Sequence, residues 1–305
     1  MKSSAAVASS VVATADIRPA HRTADFVTLT KPRLNFLVLI TTLGGMYLAA
    51  PDGIPAAVVL NALVGTALVA GGAAALNQVW ERRTDGLMRR TASRPLPGGR
   101  LRVVDGAWFG AALSVAGLIE LAWRVNALSA IVAGATLVSY VLVYTPLKTR
   151  TSLSTLVGAV PGALPPVIGW AAATGTISPP ALVLFGIVFF WQMPHFLAIA
   201  WLYRDDYARA GIPLLPVLEP DGRRTGQQAL VYAAALWPVS LLPAIVGIAG
   251  APFVIVATVL GIGYIVLSMR FARQRSVRTA RGLFLYSITY LPLLWGALVI
   301  DRLWL

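Results

Sequence analysis

The sequence predicts an all-α integral membrane protein, a bundle of nine transmembrane helices. Three observations carry that expectation. Hydrophobic residues make up 57% of the chain and charged residues 12%, where a soluble domain carries about 25% charged residues. Apolar segments recur at about 34–50, 55–76, 104–122, 127–146, 152–173, 179–201, 228–249, 252–269 and 282–301. Each is near the ~20 residues that span a bilayer. With the N-terminus inside, all of the 25 Lys and Arg except Arg124 and Arg302 fall in the N-terminal tail or in the loops after the second, fourth, sixth and eighth segments. Such asymmetry places those regions in the cytoplasm of a cell whose inner (plasma) membrane holds the protein, and the C-terminus outside. A membrane barrel is excluded, because it needs ~10-residue segments of alternating polarity.

Residues 1–33 read as a cytoplasmic tail, Ala/Ser-rich and disordered, ending in a short interfacial approach over 25–33. The tail lacks a secretory apolar core, and Asp16 and Asp25 argue against an organelle transit peptide. Residues 34–305 form the transmembrane domain. Turns such as Pro51-Asp52-Gly53 and Gly250-Ala251-Pro252 separate some spans, and long basic loops separate others. Glycine and proline inside spans are tolerated in membranes and allow close helix packing. With no cysteine there is no disulfide and no thiolate chemistry. Two histidines, His21 and His195, are too few for a multi-histidine metal site. A net charge of +13 matches arginine-rich loops on an anionic leaflet better than it matches nucleic acid.

Chemistry concentrates where the second span ends. Asn77, Glu81 and Asp85 are spaced i, i+4, i+8, which stacks three oxygen-bearing side chains on one helix face. Such a row suits Mg²⁺, which binds through carboxylates, waters and substrate phosphates. The stretch that follows is basic, with Arg82, Arg90 and Arg94 able to clamp phosphate oxygens. A solvated helix end with local ion pairs has the same spacing, so position in the chain has to decide. The two longest internal loops, 77–103 and 202–227, lie on the same side of the membrane, each after an even-numbered span. Glu81 and Asp85 sit in the first, Asp205 and Asp206 in the second. Two half-sites facing each other across a bundle would form one acid-lined mouth.

Two further stretches are unusual for lipid-facing helices. Tyr144-Thr145-Pro146-Leu147-Lys148 closes the fourth span with a phenol and, one turn later, an ammonium. Lys148 either binds a phosphate or snorkels to the interface. Trp191-Gln192-Met193-Pro194-His195-Phe196 sets an amide and an imidazole inside the sixth span. Polar groups at that depth are costly and face a cavity or one another. Gln192 and His195 share a helix face, and Pro194 loosens the backbone between them.

These residues resemble the UbiA superfamily of intramembrane prenyltransferases, and within it the haem-modifying branch. The resemblance runs from Thr30-Lys31-Pro32-Arg33 to the ninth span. Its pieces are Asn77-x3-Glu81-x3-Asp85, Met88-x-Arg90-Thr91-x2-Arg94-Pro95-Leu96 and Tyr144-Thr145-x2-Leu147-Lys148. They continue with Gly162-Ala163-x-Pro165-Pro166-x-Ile168-Gly169-Trp170, Trp191-Gln192-x-Pro194-His195-Phe196 and Asp206-Tyr207-x2-Ala210-Gly211-Ile212-Pro213.

The resemblance implies a central cavity, Mg²⁺-dependent ionisation of farnesyl diphosphate, and haem B as acceptor. It makes Asn77, Glu81, Asp85 and Asp206 the metal and catalytic residues. Arg82, Arg90, Arg94, Tyr144, Lys148, Gln192 and His195 become substrate-binding residues, with His195 the candidate haem contact. It also admits contact with a downstream haem-modifying enzyme. Two departures stand out. Glu81 holds a place where Asp is common in the family, and the second motif's pair of acids four apart is missing, since Asp205 and Asp206 are followed at that spacing by Arg209 and Ala210. A prenyltransferase acting on an aromatic or quinone precursor is the nearest rival, and Pro194-His195-Phe196 argues against it. A transporter is the rival from another class. It would place its ion site at the membrane midplane, whereas the acids here lie at the cytoplasmic edge.

Overall fold

A computed structural model of the chain describes residues 19–50 and 52–303, and the described residues contain helices and no strand. Residues 1–18 of the expected tail lie outside them. The rest of the tail is more ordered than expected. Helix α1 (Pro19–Leu29) lies against the bundle, with Phe26 and Leu29 packed among Ala75, Leu96 and Leu101. Arg22 and Asp105 join it to the third predicted span through a 2.9 Å ion pair.

The nine predicted spans all appear as helix. The first three are α2 (Pro32–Ala49), α3 (Ala56–Leu87) and α4 (Val103–Arg124). The fourth is composite: α5 (Ala127–Val138), a π-helical turn (Ser139–Tyr144) and α6 (Thr145–Leu147). The fifth is broken at Leu164 into α7 (Ser154–Ala163) and α8 (Pro165–Thr174). After α9 (Pro179–Leu202) come two short helices, α10 (Arg204–Arg209) and α11 (Leu215–Leu218), within the long loop. Helices α12 (Arg223–Ile245), α13 (Ala251–Gln274) and α14 (Val277–Arg302) close the bundle.

Among the described residues, eight of these spans are long and apolar enough to cross a membrane, and α2 is not among the eight. Its 18 residues open with Pro32, Arg33 and Asn35, which dilute an otherwise apolar helix.

Small residues let the helices approach. A Cβ at Gly117 of α4 would meet the Gly65 carbonyl oxygen of α3 at 2.6 Å, and one at Gly72 would meet the Gly110 carbonyl oxygen at 2.6 Å. Gly45 of α2 abuts Pro166 of α8 in the same way, and Gly169 of α8 abuts Thr42. Close backbone approach supplies the dispersion contact that holds helices together where no water is expelled. Exposed Trp108, Trp123, Ile131, Val231 and Ile255 face outward, as a lipid-facing surface requires. The largest buried cluster fills the space between α8, α9, α12, α13 and α14.

Two local irregularities shape the interior. Pro146 has no N–H to bond the Leu142 carbonyl, so the turn before it widens, and the Thr145 N–H reaches back to the Tyr140 carbonyl. Tyr140 and Tyr144 therefore stand one above the other, ring centroids 5.4 Å apart. Pro165, which has no N–H for the Pro161 carbonyl, opens α8 after the break in the fifth span at Leu164, while Pro161 lies within α7.

Candidate active site

Helix α3 is 32 residues long, about 48 Å at 1.5 Å per residue, against a hydrocarbon core of ~30 Å. Its C-terminal turns therefore outrun the bilayer and carry polar groups at the mouth of the bundle. Asn77, Glu81 and Asp85 point inward there, only 2%, 7% and 1% exposed. They line a cavity of roughly 380 Å³ that runs down between α2, α3, the π-turn, α7 and α9. Burial on this scale disposes of the reading of α3's end as a solvated surface with local ion pairs.

Each residue in the row meets a cation from another segment. Lys31 Nζ donates to Asn77 Oδ1 at 3.1 Å, while Asn77 Nδ2 donates to Thr145 Oγ1 at 3.1 Å. Lys148 Nζ lies 3.0 and 3.1 Å from the two Glu81 carboxylate oxygens. Arg94 donates to Asp85 Oδ2 at 2.7 Å. Asp85 Oδ1 is buried and has no partner among the described residues. A bare carboxylate oxygen in a closed site is costly unless something positive reaches it. Asp85 lines the same cavity as Glu81 and Asn77, so the donor set fits a hard divalent cation.

Of the remaining predicted residues, Arg90, Arg94, Tyr144, Lys148 and Gln192 line the cavity. Arg90 donates to the Tyr207 hydroxyl at 2.8 Å and lies over the rings of Tyr203 and Tyr207 at 5.3 and 5.2 Å. It ties the first long loop to the second. Gln192 Nε2 donates to the Ala159 carbonyl oxygen at 2.6 Å. Its amide oxygen rests against Gly162, where no Cβ intervenes.

Four residues of the sequence reading stand elsewhere. Arg82, one position past Glu81, is turned about 100° around the helix and donates to the Val79 carbonyl oxygen at 3.0 Å. Asp206, expected at the metal, is ion-paired with Arg209 one turn on and is not part of the cavity wall. Tyr207 takes the wall position instead, because one residue's rotation on α10 exchanges the two. Asp205 is 90% exposed. His195 turns away from the cavity toward α14, where Nδ1 contacts Ser287 Oγ at 2.7 Å.

The sequence reading missed three wall residues. Lys31 begins α2 from a left-handed backbone (φ 50°), and burial, with Arg94 and Lys148 nearby, pulls its ammonium down to about 8. The Lys-Pro pair at a helix start was its signal. Tyr140 was findable one turn before Tyr144 on the same face. Asn35 also lines the cavity, with a buried amide oxygen lacking a partner among the described residues.

The fold and the cavity define a polytopic membrane protein whose interior meets paired acids and bases at one mouth and apolar walls below. The UbiA prenyltransferase family model matches residues 38–290, and the chain belongs to that family. It is 47% identical over 287 residues to a protoheme IX farnesyltransferase of Solibacter usitatus (strain Ellin6076), covering 91% of this chain and 98% of that protein. A protoheme IX farnesyltransferase of Koribacter versatilis (strain Ellin345) is 43% identical over 288 residues, 91% and 93% of the two chains. Among solved structures, a digeranylgeranylglyceryl phosphate synthase superposes with a TM-score of 0.80 at 16% identity, covering 93% of this chain and 100% of that one. A UbiA homolog from Archaeoglobus fulgidus bound to GPP and Mg²⁺ gives 0.62 at 14% identity, covering 90% and 99%.

Proposed function

We propose that this chain transfers the farnesyl group of farnesyl diphosphate to a vinyl group of haem B, giving haem O. The observation that carries the reading is the α3 row of Asn77, Glu81 and Asp85, buried in one cavity with Lys31, Arg90, Arg94 and Lys148. Relatives sharing more than 40% of its residues over nine-tenths of the chain are protoheme IX farnesyltransferases, which selects haem over an aromatic or quinone acceptor.

Asn77, Glu81 and Asp85 would hold Mg²⁺. When bound, the metal neutralises charge on the departing diphosphate. Arg90 and Arg94 offer planar donors to the phosphate oxygens, and Lys31 and Lys148 add point charges. Arg94 and Lys148 are paired to Asp85 and Glu81, so the same groups are already poised around the diphosphate position. The C1–O bond breaks with its electron pair going to diphosphate. The terminal vinyl carbon of haem B bonds to farnesyl C1, leaving positive charge on the inner vinyl carbon. A water oxygen adds there and gives up a proton, which forms the hydroxyl. The faces of Tyr140 and Tyr144 line the path and favour cationic character. Apolar residues below, among them Val69, Ala70 and Leu137, receive the prenyl chain and keep water from the allylic cation.

The basic loops and the diphosphate mouth are read as cytoplasmic, in the cell's inner membrane, with the C-terminus outside. The test of the reaction is to incubate purified protein with farnesyl diphosphate, Mg²⁺ and either haem B or a quinone precursor. Haem O by mass supports the reading. A prenylated quinone precursor with haem B left unchanged overturns it.

A further inference from the structure

We infer that Gln78 is a positioning residue for diphosphate capture: it holds the corner between α1 and α2 in a strained turn that carries Lys31 into the cavity. This rests on the diphosphate reading proposed above.

The corner is strained at one residue. Among the described residues only Lys31 and Arg275 are non-glycine residues with positive φ, and Lys31 has φ 50° and ψ 62°. A side chain in left-handed backbone brings its Cβ too close to the following carbonyl oxygen. Pro32 drives the residue before it out of the right-handed helical region, so α1 cannot run on into α2. Extended backbone at Lys31 would satisfy Pro32 without strain. The left-handed turn therefore needs another cause, and strained backbone persists where its surroundings over-determine it.

Two buried amides supply that cause. A helix end leaves carbonyl groups without N–H partners. Gln78 Nε2 donates to the Leu29 carbonyl oxygen at 2.7 Å, and Asn35 Nδ2 donates to the Thr30 carbonyl oxygen at 3.0 Å. Gln78 is 1% exposed and Asn35 8%. Arg100 grips α1 from its other side through Asp25 at 3.0 Å. With the two carbonyls before it fixed, Lys31 sends its Nζ to within 3.1 Å of Asn77 Oδ1, on the residue next to Gln78. Gln78 itself is not part of the cavity wall, so its influence on substrate passes through Lys31.

The charge delivered in this way differs from most of its neighbours. Four cations line the cavity. Lys148 and Arg94 lie on the carboxylates of Glu81 and Asp85. Lys31 and Arg90 face neutral groups, an amide oxygen and a phenol. Lys31 thus offers a compact point charge with no ion-pair partner among the described residues, beside the row that would hold the metal. An arriving diphosphate can take this ammonium without first displacing it from a carboxylate.

The test uses full-length protein in detergent and farnesyl thiodiphosphate, with affinity measured by calorimetry. Lys31→Ala and Lys31→Gly should each bind the analogue about tenfold or more weakly than wild type, the share of one charge-assisted hydrogen bond. Without ligand, Lys31→Gly should melt above Lys31→Ala, because glycine adopts positive φ without a steric cost; at an unstrained position alanine is the more stable residue. Gln78→Met should weaken analogue binding about threefold or more when Lys31 is present and leave it unchanged in the Lys31→Ala background, the non-additivity of residues that act as a unit. Gln78→Asn, which keeps a shortened amide, is the milder variant if Gln78→Met does not fold, with the same two-background outcome expected. Equal analogue affinity in wild type and Lys31→Ala would overturn the capture role. Equal weakening by the Gln78 variant in both backgrounds would overturn the positioning role. Lys31→Gly melting below Lys31→Ala would overturn the strained corner on which both depend. If wild type does not bind the analogue at all, the diphosphate reading itself falls.

Discussion

Lys148 Nζ bridges both carboxylate oxygens of Glu81, at 3.0 and 3.1 Å, across 67 residues of sequence. The pair fastens the end of α6 to the mouth end of α3 and leaves neither group in water. Its two members have different tasks once substrate enters: the carboxylate faces the metal and the ammonium faces phosphate. Glu81→Gln should therefore lower turnover by two or more orders of magnitude while the variant stays folded. Each tenfold is ~1.4 kcal/mol, and charge stabilisation by a bound metal is worth several. An exposed pair would contribute ~0–1 kcal/mol to stability and nothing to rate. Steady-state kinetics beside a thermal melt separates the two.

Removing the divalent cation should abolish turnover reversibly. The donor row is what a hard cation needs, and Lys31, Lys148 and Arg94 leave room for charge rather than replacing it. Turnover in excess chelator, then after added Mg²⁺, measures this. Undiminished activity in chelator would remove the metal from the mechanism.

Lys31 gives a pH prediction. Its folded value of about 8 lies below the ordinary lysine value of ~10.4, so folding disfavours its charged form. Between those two values the unfolded chain holds the proton and the folded chain does not. The empty protein should therefore gain stability as pH rises from about 8 toward ~10.4, and Lys31→Gln should lose that gain. Diphosphate needs the charged form, so its affinity should fall as pH rises through the same value in wild type and stay flatter in Lys31→Gln. Thermal melts and calorimetric titration with a farnesyl diphosphate analogue across pH 7–9.5 would check both.

Arg90 is held by one hydrogen bond and two aromatic faces. Tyr207→Phe removes the hydrogen bond and keeps the ring, so it should raise KM a few-fold with little change in kcat, in line with ~0.5–1.5 kcal/mol for one hydrogen bond. Arg90→Ala removes the phosphate donor itself and should cost about tenfold or more in kcat/KM.

Gly158 and Gly162 keep space for their neighbours. A Cβ at Gly158 would meet the Tyr144 ring at 2.6 Å, and one at Gly162 would strike the Gln192 amide oxygen. Alanine at either position should displace a wall residue, lower turnover and destabilise by ~1–3 kcal/mol. Denaturation of the variants in detergent, set beside their rates, measures it.

What the sequence disclosed follows from what spacing can encode. Runs of apolar residues marked the spans, and i, i+4, i+8 spacing marked the α3 row, because both are properties of a single helix. The row's partners were less legible. Lys31 reaches Asn77 across 46 residues and Lys148 reaches Glu81 across 67, and no local pattern records which helix packs beside which. The π-turn before Pro146 needed the cavity to show its purpose. Asp206 looked like the second half-site because it is an acid in the long loop after the sixth span and opens the family's Asp-Tyr piece, but a one-residue rotation on α10 gave the wall to the tyrosine and the acid to Arg209. His195 was read on Gln192's face. At three residues' separation it lies ~60° around the helix, enough to turn it to Ser287.

Asp85 decides the central claim, since its buried oxygen, unpaired among the described residues, is where the site asks for a cation. The direct measurement is Mn²⁺ binding, followed by electron paramagnetic resonance, in the presence of farnesyl thiodiphosphate. Wild type should bind the ion and analogue together with a broadened protein-bound signal, and Asp85→Asn, still folded by its melt, should lose that signal. Equal Mn²⁺ binding and an equal spectrum in wild type and Asp85→Asn would contradict the assignment of this row as the metal–diphosphate site.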